Sequence, residues 1–150
     1  MDEGKQDVLV TVERELTTLS RRLRNGARAI YEANGLTFTE YSLLRMIDDS
    51  PGITAAALAP AAMIDKSTAS RQLAGLHDRG LLTRVADGRS ARGQRLEPTD
   101  LGRSTLVAIS TASAAAIADL LTDWPTDDVE TFARLLHRYN STPPVGPTTE

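Results

Sequence analysis

The chain contains no cysteine, and its only histidines are His77 and His137. A protein without thiols forms no disulfides, senses redox state through no thiol of its own and builds no thiolate zinc site. The two histidines are far apart in sequence, so they do not form the closely spaced pair of a histidine metal motif. We therefore expect no metal and no cofactor.

Catalytic motifs are missing as well. The sequence has no Gly-x-Ser-x-Gly nucleophile turn and no Walker phosphate loop. Asp127 and Asp128 are adjacent, and adjacent side chains on a helix point in different directions, so a place at a helix start explains them better than catalysis. A small enzyme on a helical scaffold is therefore the weakest alternative, and we expect a protein that is not an enzyme.

The sequence also lacks a long uninterrupted hydrophobic run. The apolar stretch at residues 55–64 is interrupted by Pro60 and falls short of the roughly 18 residues that a membrane-spanning helix needs. Residues 1–7 are polar and lack the apolar core of an export signal. We expect a cytoplasmic protein that does not contact a membrane.

The excess of charge is small, but its distribution is uneven. The 150 residues fit one domain and carry a net charge of −3. Residues 64–103 hold eight basic and five acidic side chains, a net charge of +3, and the rest of the chain carries −6. A basic middle segment in an acidic protein is typical of a module that binds a polyanion.

The first segment has the spacing of a long helix. Apolar or small residues recur at alternating intervals of three and four: Leu9, Val12, Leu16, Leu19, Leu23, Gly26 and Ile30. This heptad seam predicts one helix over about residues 7–31, about 37 Å long. A core helix and a subunit interface are both compatible with the seam. We favour the interface, because a small domain cannot cover so long a helix.

Threonines mark most of the later helix starts. Thr37 or Thr39, Thr54, Thr99 and Thr126 each precede a helical pattern and are expected to cap it. Acidic residues directly after the last of these threonines favour the positive end of a helix.

The middle of the chain predicts a helix-turn-helix followed by a hairpin. A helix over about residues 66–79 is ended by Gly80. Two short strands at 81–85 and 94–97 flank a glycine-bracketed basic loop at 87–93. This order predicts a mainly α fold with a small β-hairpin wing, which is a winged helix-turn-helix.

The helix over residues 66–79 has two chemically different sides. Its apolar residues share one side: Ala69, Leu73 and Leu76. Small polar residues and one arginine lie on the other side or its margin: Ser67, Thr68, Ser70 and Arg71. Arginine can pair bidentately with guanine, hydroxyls bond bases or phosphates, and the helix dipole favours an anion. An ordinary solvated face is the alternative for this helix alone.

The neighbouring hairpin shifts the balance towards DNA. Its loop carries Asp87, Arg89 and Arg92 between glycines. Such a basic tip can enter the narrow, negatively charged minor groove, with Asp87 placed to hold Arg89.

At these residues the sequence resembles the MarR (multiple antibiotic resistance regulator) family. The resemblance rests on residues 53–59, on Asp65-Lys-Ser-Thr-Ala-Ser-Arg-Gln-Leu73, on Asp-x-Arg-x-x-Arg at 87–92, and on Leu-x-Pro-Thr-x-x-Gly at 96–102. It covers about residues 7–140 and implies an obligate homodimer built from the first and last helices.

The resemblance also implies a division of the chain and a set of site residues. One domain spans residues 1–140, with dimerisation helices at about 7–31 and 100–140, a DNA-binding lobe at about 38–98 and a disordered tail at 141–150. The DNA-binding candidates are Thr54, Lys66, Ser67, Thr68, Ser70, Arg71, Asp87, Arg89 and Arg92. The recognition-helix residues would contact the major groove of double-stranded DNA, and Arg89 the minor groove.

A small aromatic or amphipathic effector is a further implication. It would bind between the dimer helices and the DNA-binding lobe, where Tyr41, Arg45 and Met63 are candidate lining residues. Pro60 in a helix position and Met63 at the usual turn glycine depart from the family pattern.

The sequence therefore favours a dimeric, ligand-responsive transcription regulator that acts as a repressor. A winged-helix module that binds proteins rather than DNA is the main alternative. It would need apolar anchors on the exposed side of the helix, and none is present.

Overall fold

The structure, a computed structural model, describes residues 3–86 and 94–143. The elements in chain order are α1 (Glu3–Gly26), α2 (Arg28–Ala33), α3 (Phe38–Asp49), α4 (Ala55–Ala61), α5 (Lys66–Asp78), β1 (Leu82–Ala86), β2 (Gln94–Pro98), α6 (Asp100–Leu120) and α7 (Thr126–Asn140). The packing divides the chain into two units, one up to Ser113 and one from Ala114 onward.

The two strands pair as the predicted hairpin. They are antiparallel, and their register runs from Leu82 opposite Pro98 to Ala86 opposite Gln94. Helices followed by this hairpin form the winged helix-turn-helix architecture expected from the sequence.

The prediction of a single helix over residues 7–31 was wrong. α1 ends at Gly26, and α2 begins after Ala27, which has a φ of −84° and a ψ of −13°. The amide of Ala27 still donates to the carbonyl of Leu23, and Tyr31 donates to Ala27, each at 3.1 Å. The interruption is therefore local, and it follows a glycine, the residue with the lowest helix propensity after proline.

The core lies inside the predicted DNA-binding lobe, residues 38–98, and against the first part of α6. Its fully buried side chains come from α3, α4, α5, both strands and α6: Leu43, Leu44, Ile47, Leu58, Leu73, Leu76, Leu82, Leu96, Leu106 and Ile109. The predicted apolar side of α5 is confirmed. Each such side chain contributes about 1.5–3 kcal/mol on burial, so α5 is held firmly by its inner face.

Most of the predicted caps are confirmed. Thr37 and Glu40 form a capping box, with 3.2 Å from the Glu40 amide to Thr37 Oγ1 and 2.8 Å from the Thr37 amide to Glu40 Oε2. Thr54 Oγ1 accepts from the Ala57 amide at 3.3 Å, and Thr99 Oγ1 accepts from the Gly102 amide at 3.0 Å.

The expected cap at Thr126 was wrong. Pro125 is the N-cap residue of α7 and makes no side-chain cap hydrogen bond, while Thr126 already lies inside the helix. The carbonyl of Pro125 accepts from the amides of Asp128 and Val129, so the first helical turn closes one residue earlier than the threonine pattern indicated.

The most apolar long helix is α6 and not the stretch at residues 55–64. Asp100–Leu120 has a mean hydropathy of 1.3 over its most apolar window, of which 17% is buried. By length and composition alone it is long and apolar enough to cross a membrane. One such helix is weak evidence for a membrane, because the core helix of a soluble protein passes the same test.

Candidate nucleic-acid interface

The turn between α4 and α5 is a Schellman motif. The amide of Ile64 donates to the carbonyl of Ala59, and the amide of Met63 donates to that of Pro60, each at 3.1 Å. Met63 has a φ of +53°, the left-handed conformation in which glycine is usual at this position. The chain thus makes the sharp helix-turn-helix connection with a methionine, and α4 keeps its last turn in spite of Pro60.

Asp65 organises the amino-terminal end of α5. Its Oδ1 accepts from Ser67 Oγ at 2.5 Å and from the Thr68 amide at 2.8 Å, and its Oδ2 accepts from Thr68 Oγ1 at 2.7 Å. The hydrogen bonds from Ser67 and then from Thr68 hold the pKa of the Asp65 carboxyl well below its usual range. Asp65 is therefore an ionised carboxylate at neutral pH, and it holds the hydroxyls of Ser67 and Thr68 in place.

This network sets the polarity of the two hydroxyls. Because Ser67 and Thr68 donate their protons to Asp65, the free side of each oxygen is an acceptor. Asp65 was not among the site residues predicted from the sequence. The short spacing Asp-x-Ser-Thr is the signal that could have found it.

The outward face of α5 carries the predicted polar residues. Lys66, Ser67, Ser70 and Arg71 are exposed, and Thr68 is half-buried at the margin. The opposite side is buried in the core, so these side chains project from a helix whose orientation is set by packing. Small side chains around one long arginine fit the width of a major groove.

The base of the wing is tied to the start of α4. Thr54 forms an isolated antiparallel bridge with Arg95 on β2, and the Leu96 amide donates to the Ile53 carbonyl at 2.9 Å. This pairing places Thr54 and Arg95 side by side. Sequence reasoning missed Arg95, whose half-buried guanidinium adds a positive charge beside the predicted contact at Thr54.

The tip of the wing lies outside the described residues. The roles predicted for Asp87, Arg89 and Arg92 therefore stay predictions. The described part of the hairpin ends at the pair Ala86 and Gln94.

An open cavity of about 600 Å³ lies where α1 and α2 meet the start of α3. Its lining combines aromatic, apolar and basic side chains: Ser20, Leu23, Arg24, Arg28, Tyr31, Glu32, Leu36, Thr37 and Phe38. This is the junction at which an effector was expected.

The three predicted effector residues do not line this cavity. Tyr41 stacks behind the cavity residue Tyr31, with ring centroids 5.0 Å apart. Arg45 pairs with Asp49 on the exposed side of α3 at 3.3 Å. Met63 is 84% exposed on the helix-turn-helix turn. The cavity thus lies at the expected junction, but the three candidate side chains are not part of its lining. Adjacency in sequence did not show which way each side chain points.

Comparison with known proteins assigns this architecture. Residues 34–93 match the sequence model of the MarR family. The HTH-type transcriptional regulator YxaD of Bacillus subtilis is 31% identical over 135 residues, which are 90% of this chain and 94% of the relative. The chain belongs to the MarR family. It is a DNA-binding transcription regulator, as that family is.

Two further members share the architecture. The HTH-type transcriptional repressor Mb2911 of Mycobacterium bovis is 30% identical over 79% of this chain and 86% of its own. The solved MarR-family protein RV2887 of Mycobacterium tuberculosis, in complex with salicylic acid, has a TM-score of 0.67 at 29% identity. It covers 83% of this chain and 92% of its own length. MarR-family proteins bind DNA as dimers.

Proposed function

We propose that this MarR-family protein is a repressor that binds a pseudo-palindromic operator as a homodimer in the cytoplasm. The observation that supports this most is the polar face of α5, with Arg71 and the Asp65-bound hydroxyls on the side opposite the buried core. The relation to a repressor of similar length supports the direction of regulation.

The apolar faces of the terminal helices support dimerisation. On α1 the seam residues Leu9, Val12 and Leu23 are 44%, 42% and 54% exposed. On α7 Phe132 and Tyr139 are exposed as well. A soluble protomer rarely leaves such a seam uncovered, and a second copy of the same helices would cover it.

The experiment that tests the operator proposal is sequencing of genomic DNA fragments that co-purify with the protein. We expect enrichment of a pseudo-palindrome whose half-sites lie about one helical turn, roughly 10 base pairs, apart. No enrichment over input DNA would favour the protein-interaction alternative.

Two variants then separate base contacts from backbone contacts. Arg71→Ala is expected to cost about 1–3 kcal/mol on the enriched operator and to relax the preference at one base pair. Arg89→Ala is expected to weaken operator and scrambled DNA alike and to reduce the salt dependence by roughly one unit of slope. If both variants bind as tightly as the parent, this lobe does not bind DNA in the proposed way.

The cavity supports a ligand-responsive regulator. Arg24 supplies positive charge, as does Arg28, whose Nε is paired with the cavity residue Glu32 at 2.6 Å. Tyr31 and Phe38 supply aromatic surface, their ring centroids 5.8 Å apart. This combination fits a small aromatic anion, the chemical class of the salicylic acid bound by the Mycobacterium tuberculosis relative. We therefore move the proposed effector residues from Tyr41, Arg45 and Met63 to these four.

Titration with salicylate tests the effector proposal. We expect the operator complex to weaken as salicylate is added and Arg28→Gln to reduce the response. An operator affinity that stays constant across a panel of phenolic acids would refute it, because a ligand shifts only an equilibrium whose two states it binds differently.

A further inference from the structure

Arg79 connects two parts of the DNA-binding lobe that are far apart in sequence. It is the C-cap residue of α5, and its Nε donates to the carbonyl of Gly75 at 3.0 Å within that helix end. Its Nη1 donates to the carbonyl of Gly35, and its Nη2 donates to Glu40 Oε1 at 2.5 Å. One guanidinium therefore joins the carboxyl end of the recognition helix to the loop between α2 and α3.

Glu40 extends this connection. Its second oxygen, Oε2, accepts from the Thr37 amide in the capping box at 2.8 Å. The Glu40 side chain is only 14% exposed, so this carboxylate is held between Arg79 on one side and the start of α3 on the other. A partly buried, charge-assisted hydrogen bond of this kind is stronger than an exposed ion pair.

The loop that Arg79 holds is also a wall of the cavity. Leu36, Thr37 and Phe38 line the cavity and follow Gly35 directly. Among the described residues, Arg79 makes the side-chain hydrogen bonds that join this loop to α5. The side chain of Arg79 therefore links a wall of the cavity to the carboxyl end of α5.

We propose that Arg79, with Glu40, is a positioning residue for operator recognition, which sets the tilt of α5 from its carboxyl end. α5 is about 20 Å long, so a tilt of about 10° at the held end moves the other end by about 3 Å. Base-edge hydrogen bonds do not survive such a shift. Contacts to phosphates survive the shift, because long side chains can follow a small movement.

The proposal has a consequence for regulation that rests on the proposed function. An aromatic anion that displaces Phe38 or Thr37 acts on Arg79 through Glu40 and the Gly35 carbonyl, and so changes the tilt of α5. The contact of Arg79 with Glu40 and the Gly35 carbonyl then connects the effector cavity to the DNA bases that α5 reads.

The test uses full-length protein with Arg79→Gln, Glu40→Gln and the double variant. Glu40→Gln keeps an oxygen for the capping box, since glutamine serves there as well as glutamate, but removes the charge that pairs with Arg79. Arg103→Gln removes the same charge as Arg79→Gln from an exposed position on α6 and serves as the matched control. Circular dichroism and thermal unfolding establish that each variant is folded.

We expect each single variant to lose about five- to twentyfold in operator affinity, with binding to scrambled DNA within about twofold of the parent. The double variant is expected to be no worse than Arg79→Gln alone, because both changes remove the same contact. Arg79→Lys, which keeps the charge but has no planar fork, is expected to recover only part of the loss. Folded single variants with the operator affinity and specificity ratio of the parent would overturn the proposal.

Salicylate provides the second readout. If the parent releases its operator on addition of salicylate, Arg79→Gln is expected to show a smaller ratio between its affinities without and with salicylate, and an unchanged ratio refutes the regulatory consequence. If the parent itself does not respond, the effector proposal fails for this probe. The DNA measurements still decide the role of Arg79.

Discussion

Met63 offers a sharp test of the helix-turn-helix turn. It holds a φ of +53° at the position where α4 ends, and its side chain is 84% exposed. A left-handed backbone costs an L-residue about 1–2 kcal/mol. Glycine avoids this cost but loses about 0.5–1 kcal/mol more backbone entropy on folding. The difference predicts that Met63→Gly raises the free energy of unfolding by about 0.5–1 kcal/mol.

The measurement is urea unfolding followed by circular dichroism, at one protomer concentration because the stability of a dimer depends on it. The expected gain corresponds to an increase in Tm of about 1–4 °C for a chain of this size. The exposed Met63 side chain buries little apolar surface, so the backbone conformation decides whether Met63→Gly raises or lowers the free energy of unfolding.

Two control variants separate backbone from side chain. Met63→Ala keeps the strained conformation and removes the exposed side chain, so its stability is expected to stay within about 0.5 kcal/mol of the parent. Ala61→Gly places glycine in the last turn of α4 and is expected to cost up to about 1 kcal/mol. If Met63→Gly is no more stable than the parent while Ala61→Gly behaves as expected, the reasoning about the turn is refuted.

Three further predictions follow from single contacts. Gly102→Ala is expected to cost about 3 kcal/mol in thermal unfolding, at the upper end of overpacking effects, because its Cβ would lie 2.1 Å from a backbone carbonyl oxygen; an unchanged Tm contradicts this. Asp65→Ala is expected to lower the Tm at pH 7. The pKa of Asp65 is lower in the folded state than in the unfolded state. The difference in Tm between the parent and the variant is therefore largest above the ordinary aspartate pKa of about 3.9, and it shrinks as the pH falls below that value. A Tm difference that grows in acid refutes the network. Leu9→Glu with Val12→Glu is expected to abolish the dimer in analytical ultracentrifugation and to leave an unfolded or aggregated chain, as an obligate dimer requires, whereas Arg14→Glu, with the same change in charge on the opposite side of α1, stays dimeric.

Several local features could be predicted because short-range chemistry determines them. The capping threonines Thr37, Thr54 and Thr99 act on amides within three residues, so their roles follow from the sequence around them. The inner side of α5 follows from helical spacing, and the two strands follow from their flanking turns. The polar face of α5 and the MarR resemblance depend on the same short motifs.

Other predictions failed where competing local signals were close in strength. The seam across Gly26 predicted an unbroken helix, but the break at Ala27 costs only local hydrogen bonding, and periodicity does not detect it. Thr126 has the chemistry of a cap, yet Pro125 begins the turn. The effector candidates Tyr41, Arg45 and Met63 were chosen by adjacency in sequence and stay predictions, although none of them lines the cavity.

By itself, the sequence determined the fold class, most of the order of elements and the polar face of α5, because periodicity, caps and turn residues act over a few positions. Only the tertiary structure decided which side chains share the cavity and what holds the recognition helix at its far end. Arg79 and Gly35 are 44 residues apart, and their contact exists because the leucine core packs α5 against α3. Such a contact depends on where whole helices come to rest, which no local pattern in the chain records.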